Sequence, residues 1–306
     1  MRRQYRIENR KLVEIEGEGA PAQVIVLINP DEAERKLLIE ELKFDEHTLA
    51  STLDPDELSR LEFEPEHAAL IFKRPSKYSA HEQFVFRVGS VGAFLFKEKL
   101  YIVVSEDVPL FDPNQVTRAT SLAGLILGLL HRSIIHFREH LKIINKISDD
   151  LQEKINRSME NRHLINQFGL QKSLVYYLNS LNSNGVLLEK LRNNAAKIGF
   201  TPEELELLDD TVIENNQCLK QADMYSNILV SLMDARASIV SNNLNVLIKT
   251  LNIITIAIMV PTFVVSAFSM NVSIPMQLHP LAFWMIIGLA LASVGGFLTF
   301  WRIKKW

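Results

Sequence analysis

A chain of 306 residues has length for about two domains, and a formal net charge of −3 leaves no basic excess, which argues against nucleic acid as a partner. The single cysteine, Cys218, excludes an intrachain disulfide and lies in no metal-ligand spacing, so a reducing compartment fits. The opening stretch MRRQYRIENRKLVEIEGEGA has no apolar central region, and no cleaved signal peptide is expected.

Residues 1–112 carry runs rich in β-branched and aromatic side chains: Gln23–Ile28, Ala68–Phe72, Phe84–Val88, Ala93–Phe96 and Leu100–Val104. Between the first two, a helical stretch begins at Pro30, with Asn29 as its expected N-cap and Asp31 and Glu32 in the first turn. These signals predict a small α/β cytosolic domain. Residues 113–200 read as helices: Asn114 to Phe168 has no proline and a helical apolar period, so one long helix is expected to end near Gly169. A second follows to about Lys197. The apolar run Ser121–Leu130 is too short to cross a membrane and reads as a buried helix segment. His136 and His140 stand one turn apart with Glu139 between them, but no third zinc ligand is evident and a solvated helix face is expected. Neither Gly17–Gly19 nor Gly89–Gly92 fits a phosphate or dinucleotide loop, and no nucleophile elbow or zinc-protease motif occurs. No enzyme is expected.

Thr201, Pro202 and Glu204 form a capping box with proline at the first helical position. No Gly or Pro then occurs before Pro261. A helix unbroken from Pro202 to Phe268 would be about 100 Å long at ~1.5 Å per residue. Residues 201–268 are therefore read as a stalk that continues into a first membrane span, from about Val246 to Phe268. A helix of that length cannot bury itself within one protomer and implies bundling with copies of itself. A second span covers residues 281–301. Each has close to the ~20 apolar residues that cross ~30 Å of hydrocarbon. Asn271 to Pro280, within the connecting segment 269–280, has no Lys or Arg, whereas Lys249 starts the first span and Arg302, Lys304 and Lys305 lie in the basic tail 302–306. The positive-inside rule places both termini in the cytosol and 269–280 outside; a multi-pass protein of the plasma (inner) membrane is expected. Trp284, Trp301 and Trp306 sit where an interfacial aromatic belt would be.

One line of residues runs the length of the stalk in alternating steps of four and three: Asn227, Ser231, Asp234, Ser238, Ser241, Asn245, Ile248, Asn252, Thr255, Met259, Thr262, Ser266 and Ser269. The mean step of 3.5 keeps one seam of a left-handed bundle turned to the common axis. In a dry coiled coil that seam is apolar; here it is polar, which suits water on the axis and reads as a pore wall. The alternative is that these side chains join neighbouring helices by hydrogen bonds.

At the outer end of the line stands Ala267-Phe268-Ser269-Met270-Asn271-Val272, which resembles the CorA family of divalent-cation channels, where a Gly-Met-Asn motif closes the first of two C-terminal spans. Asp54-Pro55-Asp56-Glu57 with Arg60 and Glu62 is similar to an N-terminal family pattern. Ser241-Asn242, Asn245 and Lys249 look like the base of its pore helix, Pro261-Thr262 like the middle, and His279-Pro280-Leu281-Ala282-Phe283-Trp284 like the entry to its second span. The resemblance implies an α+β cytosolic domain followed by long helices and two C-terminal transmembrane helices, assembled as a funnel-shaped homopentamer in the lipid bilayer. It implies passive uptake of Mg2+, with Co2+ or Ni2+ in some members, and no organic cofactor. Zinc transporters of the ZntB type are relatives, so Zn2+ transport is one alternative; a non-conducting metal sensor or receptor is another. Two departures stand out. Ser269 occupies the glycine position of the motif, where a β-carbon could disturb a backbone that glycine alone tolerates cheaply; the favoured reading is that serine merely substitutes for glycine at an accommodating helix end. The loop Val272–His279 also lacks the acidic residues many members display.

Mg2+ holds its water shell tightly, so a wide ring of neutral carbonyl acceptors suits it better than a cage of carboxylates. Asn271 supplies that ring at the pore mouth beside Met270 and Ser269, and no Asp or Glu lies between Leu244 and Trp306. Asp234 would form an acidic ring near the cytosolic end. Ile248 and Met259, with Leu251 and Ile256 one position away, are candidate dewetting gates. The family also implies a regulatory Mg2+ held by an aspartate at the position of Asp210 and a partner from Asp45 to Asp56 of a neighbouring subunit, with Asp54 and Asp56 available. The alternative for Asp210 is the acidic first turns, Glu203 to Asp210, that a helix dipole favours.

Overall fold

The computed structural model describes residues 1–8, 11–15, 22–76, 85–111, 121–157, 161–271 and 279–304, with the side chains of 154–157 and 161–164 left aside. The chain divides into two units, Met1–Ser231 and Leu232–Trp306.

Among the described residues the first unit has seven strands: β1 (Arg2–Glu8), β2 (Lys11–Glu14), β3 (Val24–Ile28), β4 (Arg60–Phe63), β5 (Ala68–Pro75), β6 (Val88–Leu95) and β7 (Leu100–Val104). They form one sheet in the order β2-β1-β3-β7-β6-β5-β4. Only β3 and β7 pair in parallel; the other neighbours are antiparallel. Both parallel strands, VIVLI and LYIVV, are buried at every residue, because helices cover both faces. The period of two sorts their side chains. Val24, Val26 and Ile28 pack with the long helices, while Ile25 and Leu27 pack with Leu38, Phe44, Leu49 and Phe94 on the other face.

That second face is covered by α1 (Glu32–Glu40) and α2 (Glu46–Leu53). The N-cap of α1 is Asp31, not Asn29. Asp31 Oδ1 accepts from Glu34 N at 2.8 Å and Asp31 N donates back to Glu34 Oε2 at 3.1 Å. Asn29 instead takes a left-handed backbone, φ 44°, where the chain leaves β3, a conformation asparagine tolerates better than most residues. The expected strand Phe84–Val88 also shifts. Phe84 lies outside the described residues, residues 85–87 are not strand, and β6 starts at Val88 and absorbs the run expected at Ala93. Phe86 is fully buried, and its N–H goes to Ser173 Oγ at 2.9 Å rather than to a neighbouring strand.

The first face carries α3 (Leu122–Arg157) and α4 (Asn161–Asn193), followed by the short α5 (Ala195–Ile198). Ser121–Leu130 is buried helix as expected, with Leu125, Leu127 and Leu130 fully inside. Gly169 ends nothing: α4 runs through it, and Ser173 Oγ donates to its carbonyl at 2.7 Å. A mid-helix glycine costs about 1 kcal/mol, which tertiary packing of Leu170, Leu174 and Tyr177 overrides. The last elements are α6 (Pro202–Phe268), one helix of 67 residues, and α7 (Ala282–Lys304). Both contain stretches long and apolar enough to cross a membrane, of which none is buried in α6 and 6% in α7.

Candidate functional site

The capping box predicted for α6 forms. Thr201 Oγ1 accepts from Glu204 N at 3.3 Å and Thr201 N donates to Glu204 Oε2 at 2.9 Å. Glu204 is nearly buried, and its Oε1 also accepts from Ser121 Oγ at 2.6 Å, so the start of α6 is tied to the start of α3. A β-carbon on Gly124 would collide with that carboxylate, which explains the glycine.

Within the first unit α6 has an inward seam. Leu208, Thr211, Asn215, Cys218, Ala222 and Leu229 are buried and Tyr225 is partly so, in alternating steps of three and four. A displacement of two residues is about 200° around a helix of 3.6 residues per turn. Displaced by that amount from the seam stand Asp210, Ile213, Gln217, Lys220, Met224 and Asn227, all exposed. Within the first unit, the line read from Asn227 therefore starts on the face of α6 turned away from its own core. Asp210 falls on the same line as Asp234, a relation visible by extending the three-four steps backwards. Lys220, on that line, is a candidate site residue that sequence reading missed.

Beyond the first unit Asp234, Ser238, Ser241, Asn245, Ile248, Asn252, Thr255, Met259, Thr262 and Ser266 are all exposed. Several of their hydroxyls are satisfied within the helix. Ser238 Oγ donates to Asp234 O at 3.1 Å, Thr255 Oγ1 to Leu251 O at 2.9 Å and Thr262 Oγ1 to Ile258 O at 2.7 Å. A hydroxyl whose proton is used this way presents its lone pairs outward, so the face offers acceptors. Pro261 has no N–H for the Ala257 carbonyl, which adds one backbone acceptor in the apolar stretch.

Helix α6 ends at Phe268 and the chain turns through Ser269, Met270 and Asn271, all exposed. Ser269 N and Oγ both donate to Ser266 O, at 3.1 and 2.9 Å. Among the described non-glycine residues only Asn29 and Lys43 have positive φ. Ser269 therefore carries no positive-φ penalty and closes the last helical turn. The acid-free loop falls on residues 272–278, outside those described.

The candidate regulatory groups stand on separate elements. Asp210 is exposed on α6, and its neighbour Asp209 pairs with Arg192 at 3.4 Å. Asp45 caps α2, and the Thr48 backbone N–H holds its carboxyl below the usual range. Asp54 ends α2 and accepts from Asp56 N at 2.9 Å. Arg60 clamps this turn, reaching Glu57 Oε1 at 3.0 Å and Ser51 Oγ at 3.1 Å. Beneath it lies Lys73, which the sequence reading passed over. Its Nζ donates to Pro55 O at 2.9 Å and to Ser90 Oγ at 2.7 Å. Burial pushes Lys73 down to about 8, against the upward pull of Asp54, Asp56 and Glu57. A lysine within the strand run Ala-Ala-Leu-Ile-Phe-Lys-Arg was the available signal. Among the described residues of one chain, no group of three or more His, Cys, Asp or Glu could hold a metal ion. His136 and His140 are not a solvated pair either. His140 is 6% exposed with Nδ1 2.6 Å from the Tyr177 hydroxyl, because this face of α3 packs on α4.

Comparison with known proteins agrees with this arrangement. The family described as CorA-like Mg2+ transporter protein matches residues 25–305. The cobalt/magnesium transport protein CorA of Methanocaldococcus jannaschii is 24% identical, over 97% of this chain and 95% of the relative. The complete structure of the CorA magnesium transporter from the same organism superposes with a TM-score of 0.81 at 20% identity, covering 98% of this chain and 96% of that one. Full-length CmaX is similar in fold, with a TM-score of 0.72 at 13% identity over 100% of this chain and 97% of that one. So is the cytoplasmic domain of ZntB from Vibrio parahaemolyticus, with a TM-score of 0.60 at 11% identity over 78% and 98% of the two chains. A match across nearly the whole chain, together with the mixed sheet, the long helices and two candidate membrane helices, shows that the chain belongs to the CorA-like Mg2+ transporter family.

Proposed function

We propose that five copies of this chain form a plasma-membrane channel for Mg2+, both termini cytosolic, with α6 of each copy lining one axial pore. The supporting observation is a line of exposed residues on α6, polar except for Ile213, Met224, Ile248 and Met259, that starts opposite the seam buried in the first unit and steps by threes and fours from Asp210 to Ser269. Five such faces around an axis would enclose a path lined by hydroxyl and amide oxygens, wide enough in principle for an ion that keeps its water shell. Asn271, flanked by Met270 and Ser269, forms the outer ring that hydrogen-bonds this shell. Asp234 concentrates cations at the inner end, and Ile248 and Met259 are the apolar constrictions. A potential of 100 mV draws a divalent ion inward by about 4.6 kcal/mol, twice the single-charge value, so no further energy source is required. Asp210, paired with Asp54 or Asp56 of a neighbouring copy, holds a regulatory Mg2+.

The test is ion flux into proteoliposomes alongside a mass measurement in detergent. The parent should be a pentamer that admits Mg2+, and Asn271→Ala should fall to background flux while remaining pentameric. A monomer or dimer, or equal flux in both proteins, would overturn the reading. Flux of Zn2+ in preference to Mg2+, Co2+ and Ni2+ would replace it with a zinc transporter.

A further inference from the structure

Lys73 stands on β5 and is 3% exposed, a place where an ammonium is kept only for what it bonds. Its Nζ donates to Pro55 O at 2.9 Å and to Ser90 Oγ at 2.7 Å, and Ser90 Oγ donates onward to Asp54 O at 2.6 Å. Two successive main-chain carbonyls of the turn Asp54-Pro55-Asp56-Glu57, where α2 ends, are therefore held from inside the molecule.

The main chain of Lys73 is fixed in its own right. Its N–H donates to Asn184 Oδ1 and its carbonyl accepts from Asn184 Nδ2, both at 2.9 Å, and Asn184 is fully buried on α4. The turn is thus referred to the sheet and to α4 as well as to its own helix. Packing tightens the same place, since a β-carbon on Gly92 of β6 would collide with the Thr52 side chain of α2. On the outer side Arg60 holds Glu57 at 3.0 Å and Asp54 Oδ1 accepts from Asp56 N at 2.9 Å, while Asp54 and Asp56 are exposed. An apolar side chain would fill the space of Lys73 without the cost of burying a charge, so the bonds rather than the packing account for the lysine.

We propose that Lys73, together with Ser90, is the positioning residue of the regulatory cation site: it holds the Asp54–Glu57 turn so that Asp54 and Asp56 are presented to a divalent ion before the ion arrives. The inference rests on the reading of that site given above, in which Asp210 of a neighbouring copy completes it. Carboxylates whose backbone is already ordered lose less freedom when they bind, so a fixed turn binds the ion more tightly. The ammonium also repels a cation. Positioning and repulsion have opposite signs when Lys73 is replaced, so the direction of the effect separates them.

The experiment titrates Mg2+ into the full-length protein in detergent and reads protection of the cytosolic domain from limited proteolysis, with the thermal midpoint in EDTA measured alongside. The parent should be protected saturably, and Asp54→Asn combined with Asp56→Asn should abolish the protection. Lys73→Met should raise the Mg2+ concentration at half-protection about tenfold, as expected for loss of a charge-assisted hydrogen bond. Ser90→Ala, which leaves the charge in place, should raise it about threefold. The two together should do no more than Lys73→Met alone, because both act through one turn. Ser90→Ala decides the question if Lys73→Met fails to fold. An unchanged half-point in Ser90→Ala, a lowered one in Lys73→Met, or a rise that only tracks a fall of the thermal midpoint in EDTA would each overturn the proposal. Absence of Mg2+ protection in the parent, or protection that survives loss of both aspartates, would instead remove the regulatory-site reading and the proposal with it.

Discussion

The same residue types meet opposite fates in the two units. In Met1–Ser231, Leu125, Leu127, Phe137 and Tyr177 are fully buried, whereas in Leu232–Trp306 Leu247, Leu251 and Phe263 are 66%, 64% and 75% exposed. The first unit therefore satisfies its apolar surface from its own chain, through a sheet packed on both faces. The second does not, and in a family of membrane transporters its complement is lipid and, on our reading, other copies of α6. The polar groups follow the same division. Asn184 Oδ1 is held by Lys73 N at 2.9 Å and Ser59 Oγ at 2.7 Å across more than a hundred residues, while Thr255 and Thr262 find their partners one turn away. A helix in hydrocarbon has to satisfy its polar groups locally.

The contrast is tested most strongly by one substitution in each unit. Phe137 is fully buried and edge-on to Tyr177 at a centroid distance of 4.9 Å, so Phe137→Ala should cost the first unit about 3–5 kcal/mol. Phe263→Ala removes the same atoms from a side chain that is 75% exposed and should shift the stability of the first unit by about 0.5 kcal/mol or less. Urea unfolding monitored by hydrogen exchange in α3 and α4 measures both. Comparable losses would mean that the exposure of α6 is not that of the working protein.

A smaller effect separates the units by pH. His140 sits between α3 and α4, bonded to Tyr177, edge-on to Phe86 at 5.3 Å and beside His136. Burial first, and His136 second, push it from 6.5 down to about 4. Between those values the unfolded chain binds a proton that the folded chain refuses, so stability is lost as pH falls through the window. At 1.36 kcal/mol per pH unit the loss is at most roughly 3 kcal/mol. Stability of the first unit measured from pH 7 to pH 4 should show this slope, and His140→Gln, which keeps a partner for Tyr177, should flatten it. An unchanged slope in the variant would assign the acid sensitivity elsewhere.

What the sequence revealed follows the same boundary. The capping box at Thr201, the spans and the line from Asn227 to Ser269 depend on contacts within one helix, and a repeat of three and four residues is read directly. Strand β1 was missed because Arg2, Arg3 and Arg6 mask the alternation of Tyr5 and Ile7, whose partners lie on the distant β3 and in the core. Asn29 and Asp31 are both good caps in isolation, and only the turn out of β3 chooses between them. Gly169, His140 and Lys73 share one cause: burial by elements far away in sequence decides whether a glycine breaks a helix, a histidine meets water or a lysine keeps its proton. The candidate site was legible because most of it belongs to the stretch of α6 beyond the first unit, where the line of residues is exposed and its spacing is set by the helix alone.

The smallest expected effect belongs to Ser269, where the comparison is sharpest because the residue ends the helix that both units share. If serine strained a backbone meant for glycine, Ser269→Gly would relieve roughly 1 kcal/mol or more and raise Mg2+ flux accordingly. Ser269 has no positive φ to relieve, and its amide and hydroxyl both close on Ser266 O. Glycine would remove one hydroxyl bond at an exposed helix end and add backbone freedom, changes that oppose one another and are each small. Flux and selectivity in proteoliposomes should therefore stay within about twofold of the parent, which corresponds to under half a kcal/mol in barrier height. A tenfold rise in Mg2+ flux would show instead that serine holds the mouth away from its conducting form. Absence of Mg2+, Co2+, Ni2+ and Zn2+ flux in both proteins would favour a sensor, and the polar residues of the line from Asn227 to Ser269 would then need another explanation for their spacing.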